Sequence, residues 1–225
     1  MAKPPEIKTA AEAAQEELDT DPLKEFFVWW DEISAQDVAR LEARLSSAER
    51  EADMQRFLEA HPLMLIQHLG GGHGRWVLPS KALGSEFRTD FVVGERDSHG
   101  LRWVLVELES PNVPAFNKRG DASKYLNHAL SQILHWRSWL ERNQNYAARP
   151  RTDEGLGLTD IDTSPPGLIL IGRRSSRTRH AAGLRRQLEK NHDVRIHSYD
   201  WLIEQAGGRV KSLAEHRSRL GAVRK

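Results

Sequence analysis

The stretch from Arg88 to Pro111, RTDFVVGERDSHGLRWVLVELESP, constrains the fold more than any other part of the chain. Thr89 to Gly94 is an apolar, β-branched run carrying Asp90 at its start. Trp103 to Leu108 is a second such run, with Glu107 and Glu109 at its end. Asp97, Ser98, His99 and Gly100 lie between them as turn formers, so the pattern predicts two antiparallel strands joined by a loop. Residues two apart on a strand share a face, which sets Glu107 and Glu109 in line with Leu105 and turns Val106 and Leu108 the other way. Three carboxylates then converge at one end of a hairpin. Like charges a few Å apart raise one another's pKa, so this cluster costs free energy unless a cation sits in it. Oxygen ligands suit a hard divalent ion, magnesium or manganese.

Composition narrows the alternatives. A chain of 225 residues that is 39% hydrophobic can bury one full-sized core without staples. The absence of cysteine excludes a disulfide scaffold, a thiolate zinc site and a cysteine nucleophile. Apolar runs such as Gly167 to Gly172 are too short to span a bilayer, and the first residues lack a signal-type apolar region. The expectation is a cytoplasmic protein with no membrane partner. Net charge is only +1, but it is unevenly spread. Residues 1–60 hold 15 acidic against 7 basic side chains, whereas residues 173–195 hold 8 basic against 2 acidic, so a local basic face is expected there.

In chain order, a polar Ala- and Glu-rich arm reaches to about Asp21, and Phe26, Phe27, Trp29, Trp30 and Ile33 predict an aromatic helix. Ser34 to Asp37 and Ser46 to Glu49 read as capped helix starts, the second opening a helix through Ala60. On that helix Glu51 lies roughly 65° from the centre of the apolar stripe and Glu59 roughly 145°, so Glu51 looks toward the sheet and Glu59 toward water. The glycines at 70, 71, 72 and 74 lack the Lys-Ser/Thr of a phosphate-cradling loop and read as a turn, while His61, His68 and His73 lack metal-site spacing. A strand around Trp76 to Leu78 is expected, then, after the hairpin, a loop with Lys118 and Arg119. A helix from about Ser123 to Arg142 sets Gln132 and Trp136 on one face. Leu168 to Ile171 predicts a buried strand, Thr178 to Asn191 a helix, Val194 to Ser198 a strand and Tyr199 to Ala206 a helix. The alternation indicates an α/β domain with a central mixed β-sheet flanked by helices, preceded by a helical N-terminal extension.

Asp90, the Glu107-Leu108-Glu109 strand end and a helix bearing Gln132-x-x-x-Trp136 together resemble the restriction-endonuclease-like core of the PD-(D/E)xK nuclease superfamily. More narrowly, QRFLEAHP, the stretch Leu83 to Phe91, VELESP, HALSQILHWRSWL, ILIGRR and IHSYDWLIE, in that order, resemble the Shedu-type anti-phage nuclease domain over about residues 45–205. The resemblance implies a helical arm at 1–44, a nuclease domain at 45–206 and a basic tail at 207–225. It implies a DNA endonuclease or nickase, with Asp90, Glu107 and Glu109 holding Mg²⁺ or Mn²⁺, Glu51 orienting water and Gln132 positioning the site. Lys118, Arg119 and Lys124, with Arg173 and Arg174 farther on, would hold the DNA backbone. One departure stands out: the superfamily's lysine two residues after the strand glutamate is Glu109 here, and Lys118 is the nearest substitute on the following loop. The alternative is an inactive nucleic-acid or protein-binding module on the same fold. Because Trp29 and Trp30 are adjacent, one helix face cannot bury both, which favours a homo-oligomer.

Overall fold

The computed structural model of the protein describes residues 18–70, 74–176 and 178–223. The hairpin forms as expected: β4 (Phe91–Asp97) and β5 (Gly100–Leu108) pair antiparallel, with Phe91 opposite Val106 and Val92 opposite Leu105. β1 (Gly74–Pro79) joins the free side of β4 antiparallel, while β6 (Gly167–Leu170) and β7 (Val194–His197) extend β5 in parallel. The mixed five-stranded sheet has the order β1-β4-β5-β6-β7, and Ala82–Leu83 (β2) pairs with Phe87–Arg88 (β3) in a separate small ribbon.

Helices cover both faces because strand parity sends alternate residues each way. Val77, Phe91, Val93, Val106, Leu108, Leu168 and Leu170 pack against α1 (Ala35–Ser47), α2 (Glu51–Ala60) and α5 (Tyr199–Val223). The opposite parity, including Trp76, Val92, Leu105 and Ile169, packs against α3 (Lys124–Ala148) and α4 (Ala182–His192). Gly167 permits the close approach of α3, since a Cβ there would meet Val194 at 2.8 Å and Ile133 at 3.3 Å. This is the α/β sandwich of a restriction-endonuclease-like core with helices on its N-terminal side.

Four local expectations are corrected. The aromatic segment is not a helix: after a single 3-10 turn at Lys24–Phe26 it runs extended, Phe27 bridges Trp76, and Val28 N–H donates to the Arg75 carbonyl at 2.9 Å. Aromatic and β-branched side chains favour this use as cover for a strand edge. Second, α2 starts at Glu51 rather than near Ser46, because the Asp53 carboxylate accepts from the Glu49 and Arg50 N–H groups and closes the first turn. The predicted cap at Ser34 does form, with Ser34 and Asp37 satisfying each other's backbone. Third, α3 leaves helical geometry at Asn143, one residue past the expected end, but resumes to Ala148. Fourth, α4 begins at Ala182, behind a 3-10 turn at Arg179–Ala181.

The expected tail at 207–225 is largely helix. α5 continues through Gly207 and Gly208 to Val223 because Val210 and Leu213 pack against the core and Arg209 donates to the Leu69 carbonyl at 2.8 Å, offsetting the roughly 1 kcal/mol that each glycine costs a helix. Residues 1–17 of the arm, Gly71, Gly72 and His73 lie outside the described residues. No helix among the described residues is long and apolar enough to cross a membrane.

Candidate functional site

Asp90 stands one residue before β4, and continuing the register sets it opposite Glu107 on β5. Its Oδ2 accepts from the Leu108 N–H at 2.7 Å, and its carboxyl hydrogen-bonds that of Glu107. Glu107 and Glu109 share the α3 face of the sheet, and both are buried. Glu109 Oε1 lies 2.9 Å from His128 Nδ1 on α3, while His128 Nε2 lies 3.4 Å from the Gln132 amide nitrogen one turn along. A neutral imidazole protonated at Nδ1 satisfies both contacts, donating to the carboxylate and accepting from the amide.

The surrounding elements fix these groups. Gln55 of α2 donates to the Asp90 carbonyl at 3.4 Å and to Glu59 at 2.9 Å, setting α2 across the start of β4. Asn112, on the loop after β5, donates to the Ala48 and Glu49 carbonyls at 2.9 and 3.1 Å and so ties that loop to the α1–α2 turn. This places Glu51 on the exposed rim of the cluster, at the first residue of α2. Beneath the cluster the fully buried Tyr199 donates its hydroxyl to the Glu109 carbonyl at 2.9 Å. Gly172 completes the support: its N–H donates to Ser110, its carbonyl accepts from Tyr199, and its φ of 67° is a conformation that suits glycine.

The electrostatics are those of too many acids with too little counter-charge. Burial raises Asp90, and burial together with the charges of Asp90 and Glu51 raises Glu107, so the pair retains a proton where separate carboxylates would have lost theirs. Burial raises Glu109 as well, against the opposing pull of His128. Partial burial and the charges of Asp90 and Glu109 push Glu51 up to about 7. Among the described residues, His128 is the only basic side chain within ion-pair distance of these four acids.

Glu107, Glu109 and His128 each offer a ligand atom, all within 4.8 Å of one another. The donor set fits a divalent cation: buried carboxylate oxygens lacking balancing charge, with Asp90 hydrogen-bonded to one of them and one imidazole alongside.

The structure therefore brings together Asp90, Glu107, Glu109, Glu51 and Gln132 of the residues singled out in sequence. His128 was missed, although its signal was present: it precedes Gln132 by four residues, the spacing of one helix face. The basic candidates fall elsewhere. Lys118, Arg119 and Lys124 are exposed at and beyond the turn before α3, and the Asn117 side chain accepts from the Arg119 and Asp121 N–H groups. Arg173 is held by Asp200 and by the Leu45 carbonyl, and Arg174 by Glu204. The family model described as Shedu protein SduA, C-terminal, matches residues 48–203. No curated protein matches the chain.

Proposed function

We propose that this chain, which belongs to the family of Shedu protein SduA C-terminal domains, is a metal-dependent DNA endonuclease or nickase of the PD-(D/E)xK type acting in anti-phage defence in the cytoplasm. The observation that carries the reading is the buried, hydrogen-bonded carboxyl pair of Asp90 and Glu107, flanked by Glu109 and His128. A buried acid cluster of this kind is unfavourable as pure structure and favourable as a cation site.

Asp90, Glu107 and Glu109 would hold Mg²⁺ or Mn²⁺, with His128 as the neighbouring nitrogen donor once the cation displaces the proton between Nδ1 and Glu109. When bound, the ion supplies Lewis acidity toward a phosphate oxygen and an attacking water. The chain's own groups do the rest. Glu51, with a pKa near neutrality, accepts and returns a proton at its carboxylate on the open rim. The Gln132 amide, anchored by His128, presents hydrogen-bonding capacity beside the cluster. Lys118, Arg119 and Lys124 supply exposed positive charge for the DNA backbone. Glu109 occupies the place of the usual lysine, so transition-state charge is left to the cation. Trp29, 42% exposed beside the buried sheet margin, supports a contact between copies of the chain.

Plasmid nicking in Mg²⁺ or Mn²⁺ tests the reading: wild type cleaves, EDTA abolishes cleavage, and Asp90→Asn or Glu107→Gln lowers the rate at least a hundredfold. An RNA panel run in parallel distinguishes a ribonuclease. The rival reading, a non-catalytic nucleic-acid or protein-binding module, draws on Glu109 standing where lysine is usual. It predicts no cleavage by wild type, no stabilisation by divalent ions, and DNA binding unchanged in both variants.

A further inference from the structure

A cleft of about 390 Å³ opens at the carboxyl ends of β6 and β7, and none of Glu51, Asp90, Glu107 or Glu109 lines it. Crevices outside the carboxyl ends of parallel strands are where open α/β sheets receive ligands. Its chemistry is specific enough to name a ligand class. Arg173, Arg174 and Arg185 are among its lining residues, and Glu204 is the one acidic residue there. Each guanidinium is braced by a carboxylate, Arg173 on Asp200, Arg174 on Glu204 and Arg185 on Glu189, which fixes planar forks suited to phosphate oxygens. Burial, and then the charges of Arg185 and Arg195, push the lining His197 down to about 4. α4 also starts at the cleft without a side-chain cap, and Ala181 and Ala182 of its entry line the wall.

The rest of the wall suits a sugar and a flat ring. Trp201 and His197 stack at 4.0 Å with their planes 9° apart, forming a slab beside the apolar Phe116 and Ile196. Thr178 and Ser176 commit their hydroxyl protons to the Asn117 and Arg173 carbonyls. Their lone pairs are therefore turned to accepting, as ribose hydroxyls require. Tyr199, between the lining residues Ser198 and Trp201, connects this wall to the Glu109 carbonyl.

We propose that the cleft binds a mononucleotide, with its phosphate on the Arg174 and Arg185 guanidiniums at the start of α4, its ribose at Ser176 and Thr178, and its base along the Trp201–His197 slab. The site is separate from the carboxylate cluster and stands whether or not that cluster cleaves DNA.

Isothermal titration of the full chain in EDTA, with AMP, GMP, CMP and UMP as probes and with inorganic phosphate and adenosine as controls, tests this. The expected result is one nucleotide per chain, bound at least tenfold more tightly than phosphate or adenosine. Arg185→Gln, which removes charge, and Ala182→Phe, which fills the mouth, should each weaken binding at least tenfold. Hydrogen exchange on wild type then places the protection independently of any variant, in peptides covering residues 171–176 and 196–204. No binding at millimolar nucleotide overturns the proposal, as does equal affinity for inorganic phosphate. Binding that neither variant alters, or protection elsewhere, overturns the location.

Discussion

At the scale of single residues, Glu107 carries the largest consequence. In the folded chain its carboxyl is kept protonated far above its ordinary range by burial and by Asp90, whereas the unfolded chain ionises it near pH 4 to 5. Above that range the folded state holds the extra proton, so stability declines as pH rises through the raised pKa values of Asp90, Glu51 and Glu107. Metal-free protein should therefore melt at a lower temperature at pH 8 than at pH 5.5. Glu107→Gln should flatten that dependence and raise the melting temperature at pH 8 by several degrees, corresponding to about 1–3 kcal/mol; calorimetry across the pH series checks both. At His128 the expectation is an effect on the cation rather than on the fold. The ring is 61% exposed on its side chain, so His128→Ala should leave the melting temperature nearly unchanged and weaken Mn²⁺ binding roughly ten- to a hundredfold, read by titration. The acids were legible in sequence because period-two alternation sets Glu107 and Glu109 on one face and the hairpin register brings Asp90 opposite. For the histidine, the sequence shows only that it shares a helix face with Gln132; its contact with Glu109 depends on how α3 lies over the sheet, which no local pattern specifies.

Among the elements, α2 positions one side of the site, and its start depends on Asp53. That carboxylate caps two backbone N–H groups and pairs with Arg44 and Arg56. Asp53→Ala should cost about 1 kcal/mol in denaturant unfolding. It should also loosen the first turn that carries Glu51, lowering cleavage without altering Mn²⁺ affinity. Arg173, a DNA-contact candidate by sequence, links α5 to the end of α1 through Asp200 and the Leu45 carbonyl. Arg173→Ala should therefore lower stability by roughly 1–2 kcal/mol, whereas Lys118→Ala with Arg119→Ala should leave stability unchanged and reduce the salt dependence of DNA binding. Element boundaries were misread where tertiary contacts overrode local signals. The aromatic run at 26–33 has the composition of a buried helix, but the Phe27–Trp76 bridge and the Val28 hydrogen bond tie it to the edge of β1, and Phe27 and Trp30 pack against the core. The Gly207-Gly208 pair reads as a stop until Val210 and Leu213 find the core beyond it.

For the molecule as a whole, a bound cation acts as a ligand of the folded state alone. At a concentration about a hundred times its dissociation constant it should add about 2.7 kcal/mol of stability. The gain should grow from pH 6 to pH 8 as the proton that it displaces becomes easier to lose, which a thermal-shift series with and without Mn²⁺ measures. The short contact at Phe27 and Val28, one bridge to Trp76 and one hydrogen bond to the Arg75 carbonyl on the outer edge of β1, has a consequence of a different kind. A chain trimmed to begin at Ser34 would uncover the outer edge of β1 at Arg75 and Trp76. Strands from neighbouring molecules would then find a template for stacking, and the trimmed protein would be lost to precipitation before its chemistry could be assayed.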